Sequence, residues 1–539
     1  MIIRNKPPRT LQRHEPIRHE AAHKRPRTRR DFIAQGFMTG AATALVPGAL
    51  AMLLNPRTAN ALDPDIQAMV ASCGITNGAG KIPFICFDLT GGGNIAGSNV
   101  LVGGPGGQQD FLSSAGYAVL GLPGTMVPNA SATGNFIESR LGLLFHSDSA
   151  HARGIIERTS ATTQAFTNGA VFAAMSNNDT NLNPHNPMYG IAQYGANGQL
   201  LTLIGSEATQ SGGNSMAPAN MVNPAWTPSV VDQASDVTGL VNTGVLGQLL
   251  PTAAAVSVLE SMSRISGQKF SNVNTQLAND AAVKAQANCN YVKTAYLAEN
   301  FSTPAALNPD LDPNIVDQTA TRGTGIFSNA EYFNSSDSQD FQKTAAIMKT
   351  VISGYAGAGT IQLGGYDYHG QGRATGELRD LHAGRCIGAC LEYAARIGKP
   401  VMVYVFSDGG LSANMTIDTS VDGRDKFMWQ ADNEAGASTY FLVYNPGGRP
   451  QLNAGAGGLT AAQHQQIGAF TSGGSVDAAS SPAASNVVGL VYTVLLNYMA
   501  LHGAENQFGQ VFPGQTLGTG TALDALTAFA PIVNGKIGG

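Results

Sequence analysis

The sequence predicts an α/β fold with a largely parallel central sheet and helices on both faces. Short apolar runs that suit buried strands recur along the chain, and segments with the apolar spacing of helices separate them. Several of these runs open into a Gly- or Asn-rich polar loop. Strands that alternate with helices build a mainly parallel sheet that is covered on both faces. The hydrophobic content of 43% is sufficient for one large core.

The predicted elements follow one another in a regular order. The expected strands are Lys81–Leu89, Ala170–Met175, Leu200–Ile204, Thr360–Leu363, Val401–Phe406 and Ser438–Tyr444. The expected helices are Asn135–Phe145, Ala150–Phe166, Asp340–Tyr355, Gly376–Ile397, Leu459–Phe470 and Ser485–His502. A further helical stretch, rich in Ala, Gln, Asn and Leu, predicts an insertion at about residues 230–335. We expect residues 62–539 to form a single domain that carries this insertion.

The first 61 residues have the order of an export signal. Residues 1–30 are basic and end in Arg29-Arg30, an apolar Gly/Ala-rich stretch runs from Gly36 to Leu54, and Ala59-Asn60-Ala61 supplies the small residues that a signal peptidase recognises. The paired arginines, followed by Asp31-Phe32, resemble the twin-arginine motif. We expect cleavage after Ala61, with the twin-arginine export machinery as a partner and a periplasmic or otherwise exported bacterial protein as the product.

The chain that follows the signal is acidic. Residues 1–61 carry 11 Lys and Arg against 3 Asp and Glu, so the rest carries 20 basic and 33 acidic side chains, a formal net charge of −13. This charge excludes nucleic acid as a partner, because a phosphate backbone attracts basic surfaces. No later stretch has the ~20 apolar residues that a membrane span needs. An uncleaved anchor is the alternative for residues 36–54, but Pro47 interrupts that stretch.

The cysteines do not predict a disulfide framework. Their number is odd and their positions are scattered, at Cys73, Cys86, Cys289, Cys386 and Cys390. The last two are four residues apart on an expected helix, with no second Cys or His pair at a suitable distance. We therefore interpret them as small core residues and not as metal ligands.

Acidic residues follow four of the predicted strands. Asp88 ends the first, Asp179 with Thr180 follows the second, Asp367 with His369 a third, and Asp408 a fourth. Because parallel strands gather their carboxyl ends at one edge of a sheet, we expect these side chains to meet there. Carboxylates with imidazole suit Zn, Mn or Fe, and carboxylates alone suit Ca or Mg. The sequence thus indicates one divalent metal ion; the alternative is that each acid caps a turn or a helix.

Three of these segments carry a resemblance to a known family. Gly364-Gly365-Tyr366-Asp367-Tyr368-His369-Gly370 is similar to the Gly-Gly-aromatic-Asp-Thr-His-Gly signature of exported twin-arginine proteins of unknown function in the alkaline phosphatase/sulfatase superfamily. Ser407-Asp408-Gly409-Gly410 resembles the motif that this family carries at the end of its next strand. Gly423-Arg424-Asp425-Lys426 stands where the family has Gly-Arg-Asp-His. The likeness spans about residues 82–450 and implies an alkaline phosphatase/sulfatase-like fold.

The resemblance also implies roles for individual residues. It implies metal ligation by Asp88, Asp367, His369 and Asp408. It implies a hydroxyl nucleophile after the second strand, where Thr180 stands, with Asn183 and His185 as substrate contacts. The alternative for Thr180 is a helix-capping hydroxyl. Lys426 would neutralise an oxygen of the substrate.

The chain departs from the family pattern at two expected histidines. Lys426 and Gly409 occupy those positions. A two-zinc phosphatase site is therefore incomplete, whereas a one-metal, oxygen-rich site of the sulfatase type is still possible. Two functions stay open: an exported metal-dependent hydrolase of small phosphate or sulfate esters, and a non-catalytic exported protein that uses the same fold for cell-surface assembly or secretion.

Overall fold

The computed structural model describes most of the chain that follows the expected cleavage point. The described residues are 62–73, 80–129, 136–176, 183–241, 250, 252–274, 280–300, 307–318, 323–370, 372–535 and 537. The predicted signal peptide, residues 1–61, lies outside them, as do Asp179 and the predicted nucleophile Thr180.

The strands are short, as expected for a sheet that is buried on both faces. In chain order they are β1 Phe84–Leu89, β2 Ile137–Glu138, β3 Phe145–His146, β4 Thr167–Ala173, β5 Leu201–Gly205, β6 Ser229–Val230, β7 Ala356–Leu363, β8 Val401–Ser407, β9 Leu411–Asp418, β10 Lys426–Asp432, β11 Ser438–Tyr444, β12 Gln466–Ile467, β13 Ala469–Phe470 and β14 Val476–Asp477.

The α-helices lie mostly between these strands. They are α1 Pro64–Ser72, α2 Ser114–Val119, α3 Ala150–Arg158, α4 Ala161–Ala165, α5 Met188–Gln193, α6 Ala234–Gly239, α7 Thr252–Ser271, α8 Asp280–Asn300, α9 Asn329–Asn334, α10 Ser338–Ile352, α11 Arg373–Arg396, α12 Ala461–Gln465, α13 Pro482–Ser485, α14 Val487–Ala500, α15 Phe508–Val511 and α16 Thr521–Asp524.

An eight-stranded sheet forms the centre of the fold. Its strand order is β12-β4-β11-β8-β1-β7-β5-β6. Neighbouring strands are parallel except at β11, which runs antiparallel to both β4 and β8. The prediction of a largely parallel α/β sheet is therefore confirmed. The carboxyl ends of β1, β4, β5, β7 and β8 lie at one edge, and the loops that follow them meet there.

Helices cover both faces of the sheet, so the side chains of β1 are buried on each face. Ile85 and Phe87 belong to a core cluster that includes residues of α10 and α11, whereas Phe84 and Cys86 belong to a second cluster with residues of α5 and α14. All four side chains are fully buried. Burial on both faces explains why the strand is a continuous apolar run. Because successive side chains of a strand point to opposite faces of the sheet, Asp88 lies on the same face as Phe84 and Cys86.

Four segments differ from their predicted structure. The expected helix Ala150–Phe166 is divided into α3 and α4, because the backbone of Thr159 and Ser160 between them is extended. The expected helix Asn135–Phe145 is wrong, because β2 pairs with β3 in antiparallel fashion. Gly142, between them, has φ +79°, and a Cβ there would come within 2.2 Å of the Asn168 side chain, so no helix passes through this point. Of the expected helix Leu459–Phe470, the five residues of α12 are helical. The antiparallel hairpin β9–β10 follows β8, between the expected strands Val401–Phe406 and Ser438–Tyr444, where the sequence predicts no strand.

The helical insertion packs against the first described residues. Helix α1 lies against α7 and α8, and the three share a small core with members such as Ile66, Leu259 and Val292. Arg264 of α7 forms ion pairs with Asp63 and with Asp65 at 2.7 Å each. None of the helices in the described ranges is long and apolar enough to cross a membrane.

One disulfide corrects the expectation from the cysteine count. Cys73 at the end of α1 is bonded to Cys289 of α8 across 216 residues of sequence. Cys86, Cys386 and Cys390 are free and buried, in agreement with the interpretation of Cys386 and Cys390 as core residues. The sequence did not predict the bond, because the two partners are distant in the chain and an odd count does not reveal which cysteine is unpaired.

Because of the disulfide, we expect the unit formed by α1, α7 and α8 to be less stable under reducing conditions. Replacing Cys73 and Cys289 by Ser lowers its free energy of unfolding by about 2–4 kcal/mol, because the cross-link constrains a long loop in the unfolded chain. Urea denaturation followed by circular dichroism measures the change. The double variant is expected to be insensitive to dithiothreitol, unlike the wild type. Five reactive thiols, instead of three, in the denatured but unreduced wild type would contradict the assignment.

Candidate metal centre

The polar side chains at the carboxyl edge of the sheet form two separate groups. One group is buried and consists of Asp88 and Asp408, which we call the inner acid pair. The other is partly exposed and consists of Asp367, His369 and Asp432, which we call the outer triad. Strand β1, the loops that follow β1, β5, β7 and β8, and the end of β10 supply these residues and their partners.

Asp408 anchors the glycine loop after β1 to the end of β8. One of its oxygens, Oδ1, accepts hydrogen bonds from the backbone N–H groups of Gly91 at 2.8 Å and Gly92 at 2.9 Å. Gly91 has φ +114°, and a Cβ there would lie 2.6 Å from the backbone nitrogen of Asp367. A glycine is therefore required for the turn and for the close approach of the two loops.

Asp88 anchors the loop after β5 in the same way. Its Oδ2 accepts hydrogen bonds from the backbone N–H groups of Asn214 at 2.8 Å and Ser215 at 2.7 Å, and its Oδ1 accepts one from the Ser215 hydroxyl at 3.2 Å. The side-chain amide of Asn214 also contacts Asp408 Oδ2 at 3.3 Å. The inner acid pair is thus joined through one asparagine and is satisfied largely by protein donors.

Burial destabilises the ionised form of the inner acid pair. Burial raises the pKa of Asp88 to about 7; hydrogen bonds from Ser215 and Asn214 oppose that rise, and the nearby carboxylate of Asp408 adds to it. The hydrogen bonds to backbone N–H groups favour the ionised form but do not outweigh desolvation. Asp88 therefore exchanges a proton near neutral pH.

The outer triad brings three potential ligand atoms together. His369 Nδ1 lies 2.5 Å from Asp367 Oδ1 and 3.2 Å from Asp432 Oδ1. The ligand atoms of all three residues lie within 4.8 Å of one another. The side chain of Asp367 is 62% exposed, and those of His369 and Asp432 are 37% and 38% exposed, so the group lies at the surface of the protein.

The orientation of His369 fits a cation between the three side chains. Its Nδ1 is inaccessible to solvent and makes no hydrogen bond to any described residue, although two carboxylate oxygens lie beside it. A metal ion that accepts the Nδ1 lone pair and both carboxylates would satisfy all three groups. The chemistry of the donor set, one imidazole and two carboxylates, suits Mn, Zn or Fe.

The structure divides the four predicted ligands. Asp367 and His369 lie in the outer triad, as the Asp-x-His spacing suggested, whereas Asp88 and Asp408 do not join that group. The third member, Asp432, was missed. It ends β10, and no motif in the sequence distinguishes it from other surface acids. Pairing of Asp432 with Leu411 at the base of the hairpin brings it to this edge of the sheet.

The glycine loop after β1 does not present free donors to an anion. The N–H groups of Gly91 and Gly92 bind Asp408, that of Gly93 donates to the Ser407 hydroxyl at 2.7 Å, and that of Asn94 donates to the Tyr368 hydroxyl at 2.7 Å. These bonds make the loop a structural connection between β1, β8 and the loop that carries Asp367 and His369.

The two predicted substrate contacts are buried beside the inner acid pair. The Asn183 amide donates to the backbone oxygen of Asp408 and to the Ser176 hydroxyl, each at 2.9 Å. His185 stacks on Phe406 with a ring separation of 5.8 Å. Neither of its ring nitrogens has a hydrogen-bond partner among the described residues. Burial lowers the pKa of His185 to about 4, so the imidazole is neutral at pH 7.

Lys426 lies in a buried ion network, which corrects the expectation that its ammonium faces a substrate. Its Nζ donates to Glu377 Oε1 and to the backbone oxygen of Asp148, each at 2.7 Å, and its side chain is fully buried. Burial alone would raise the pKa of Glu377, but Lys426 and Arg373 lower it. Lys426 begins β10 and Asp432 ends it, a separation of about 20 Å along an extended strand.

Comparison of the chain with protein-family models, with curated proteins and with solved structures finds no match.

The unpartnered imidazole predicts an unusual tolerance at position 185. His185→Phe should be at least as stable as the wild type at pH 7.5, because a phenyl ring stacks on Phe406 and needs no hydrogen bond. The advantage of the variant should grow as the pH falls from 6.5 to 5. The unfolded chain takes up a proton near pH 6.5, while the folded imidazole has a pKa of about 4, so the wild type loses stability in this window.

Urea denaturation at pH 7.5 and at pH 5 measures the difference in free energy of unfolding between the variant and the wild type. His464→Phe is the matched control, because His464 is also buried but both its ring nitrogens contact backbone oxygens, at 2.7 and 3.0 Å. That variant is expected to be destabilised. A loss of more than about 1 kcal/mol in His185→Phe at pH 7.5 would show that the imidazole has a partner.

Proposed function

We propose that this protein is an exported, metal-dependent hydrolase of phosphate or sulfate esters that uses one divalent ion. The outer triad is the observation that carries the proposal. Three ligands of two chemical types lie within 4.8 Å of one another at the carboxyl edge of a parallel sheet, where α/β proteins bind their ligands. The resemblance of the 364–370 segment to the Asp-x-His signature of the alkaline phosphatase/sulfatase superfamily supports the same reading and the same fold assignment.

The arrangement suits catalysis better than a purely structural metal site. Three protein ligands leave further coordination positions open, whereas structural sites are usually closed by four. An ion held there would polarise an ester oxygen and lower the pKa of a bound water or hydroxyl. Asp367, His369 and Asp432 would hold and orient that ion. Thr180 remains the predicted nucleophile, and a metal-activated water is the alternative.

The inner acid pair has a supporting role in this proposal. Asp408 fixes the glycine loop, and Gly91 in turn packs against the backbone of Asp367. Asp88 fixes the loop after β5. These bonds position the backbone on which the outer triad stands, so the inner acids act through other residues and do not touch the ion.

Export to the periplasm is part of the proposal. The twin-arginine motif at Arg29-Arg30 supports it, and so does the disulfide between Cys73 and Cys289, since stable disulfides form mainly in oxidising compartments. On this view the disulfide forms after translocation and after removal of residues 1–61.

A non-catalytic exported protein is the second candidate, and specific observations favour it. The carboxylates of Asp88 and Asp408 receive hydrogen bonds from the protein, the ammonium of Lys426 is buried in an ion network, and the donors of the glycine loop are used internally. A superfamily site that had lost its function would leave these groups in structural roles.

Metal binding by the outer triad is the first requirement of the proposal. Asp367→Asn, His369→Ala and Asp432→Asn should each weaken Mn²⁺ binding at least about tenfold, because each removes one of three ligands. Mn²⁺ titration followed by electron paramagnetic resonance measures the free ion. Asp422→Asn is the matched control, an exposed acid in the turn of the same hairpin, and should leave the affinity unchanged. Binding that survives all three substitutions would refute the triad as the metal site.

Hydrolysis provides the second test. Mature protein, loaded with Mn²⁺ or Zn²⁺, should hydrolyse at least one phosphate or sulfate monoester in a broad screen, and a chelator should abolish the turnover. Asp367→Asn should lose it as well. Tight metal binding without turnover of any ester would favour the non-catalytic candidate.

A further inference from the structure

The first residue of the expected mature chain lies in the core of the helical insertion. Leu62 follows the predicted cleavage point after Ala61. Its side chain is 6% exposed and belongs to the core cluster that α1 shares with α7 and α8. Cys73, directly after α1, is bonded to Cys289 of α8. The segment of residues 62–73 is therefore held at both of its ends against the two long helices.

Two carboxylates accept hydrogen bonds from the first backbone N–H groups of this segment. The N–H of Leu62 donates to the carboxylate of Glu299, near the end of α8. The N–H of Asp63 donates to Oε1 of Glu260, on α7, at 2.6 Å. Since consecutive backbone nitrogens lie within about 4 Å of each other, the nitrogen of Leu62 is close to the carboxylates of both helices.

The surroundings of these two nitrogens are acidic. Burial raises the pKa of Glu299, and the hydrogen bond from Leu62 opposes that rise. Burial also raises the pKa of Glu260; the N–H of Asp63 opposes this rise, and the carboxylate of Asp63 adds to it. A positive charge on the nitrogen of Leu62 would stabilise the ionised form of both glutamates.

Removal of residues 1–61 creates such a charge. Hydrolysis adds a water molecule across the Ala61–Leu62 peptide bond and leaves a carboxylate on Ala61 and a free α-amino group on Leu62. The pKa of an α-amino group is ordinarily about 8, so the group is mostly protonated at pH 7. Arg264, the charged neighbour on α7, is paired with Asp63 and with Asp65. The α-ammonium group is thus a second cation at the acidic end of this unit.

We propose that the α-ammonium group of Leu62, released by signal cleavage, forms an ion pair with Glu299 and fastens residues 62–73 to α8. This inference rests on the export that is part of the proposed function, and it is independent of the metal. In the uncleaved chain the same nitrogen is an uncharged amide. Cleavage replaces this neutral donor by a charged one, and charge-assisted hydrogen bonds are stronger than neutral ones.

Two forms of the chain test this assignment in vitro. One begins at Leu62 and is released from a fusion protein by a protease that leaves no additional residue; the other retains Ala59-Asn60-Ala61. In the longer form Leu62 keeps its amide, and the ammonium group is up to about 10 Å away. With the disulfide intact, amide hydrogen exchange of α1 at pH 7 should be about threefold slower in the form that begins at Leu62, as expected for a partly exposed ion pair.

The pKa of the α-amino group gives a second readout, which a merely structural contact would not change. It should lie above the ordinary value of about 8 in the form that begins at Leu62, because Glu299 stabilises the charged state. The pH dependence of acetylation of this group, followed by mass spectrometry, measures it. An ordinary or lowered pKa would contradict the ion pair.

Two variants, each made in both forms, separate the charge from the fold. Glu299→Gln keeps an acceptor oxygen without the charge, so it should abolish the difference in exchange and return the α-amino pKa to its ordinary value. Asp280→Asn is the matched control on α8, because Asp280 is paired with Lys284, and it should leave the difference unchanged.

The outcomes distinguish this assignment from the export on which it rests. If protein isolated from the periplasm begins at Leu62 but the two forms exchange equally, the ion pair is wrong while the export stands. If the isolated protein begins at another residue, the predicted processing fails and the assignment fails with it. A difference in exchange that survives Glu299→Gln would also overturn the assignment.

Discussion

Hydrogen bonds from backbone N–H groups to two buried carboxylates organise the carboxyl edge of this sheet. Asp408 binds Gly91 and Gly92, and Asp88 binds Asn214 and Ser215. Each carboxylate joins its own strand to a loop that leaves a neighbouring part of the sheet. A charge-assisted hydrogen bond is stronger than a neutral one, so these contacts hold loops that have no regular secondary structure of their own.

The loops that Asp88 and Asp408 anchor support the backbone of the outer triad. The loop that Asp408 fixes lies directly under Asp367, and the same loop contacts Tyr368 through Asn94. The outer triad therefore stands on a backbone that is connected to β1, β7 and β8. Its own side chains are partly exposed. The buried acids give the edge its shape, and the exposed ones are left with the capacity to bind an ion.

The fold could be predicted from the sequence to a large extent, because its strands and long helices follow simple apolar patterns. The strand Ser438–Tyr444 was predicted with its observed ends. The sequence contained no information on direction, however, and β11 is the antiparallel exception. The hairpin β9–β10 was missed because much of it faces solvent, as at Met415 and Ile417, so its strands lack a clear alternation of polar and apolar residues.

The site was predicted in part. The local spacing of Asp367 and His369 placed both residues in one loop, and local spacing is visible in a sequence. Asp432 could not be found, because its approach depends on the pairing of the hairpin. Lys426 was misassigned for a related reason: its position in a family motif gave no indication that Glu377 and Asp148, from distant elements, would bury its charge.

The central claim is that a metal ion binds to the outer triad and not to the inner acid pair. Anomalous scattering from a crystal of the mature protein grown with Mn²⁺ tests it most directly. The account predicts a single strong peak within bonding distance of Asp367, His369 and Asp432. A peak between Asp88 and Asp408, or no peak at the carboxyl edge of the sheet, would contradict it.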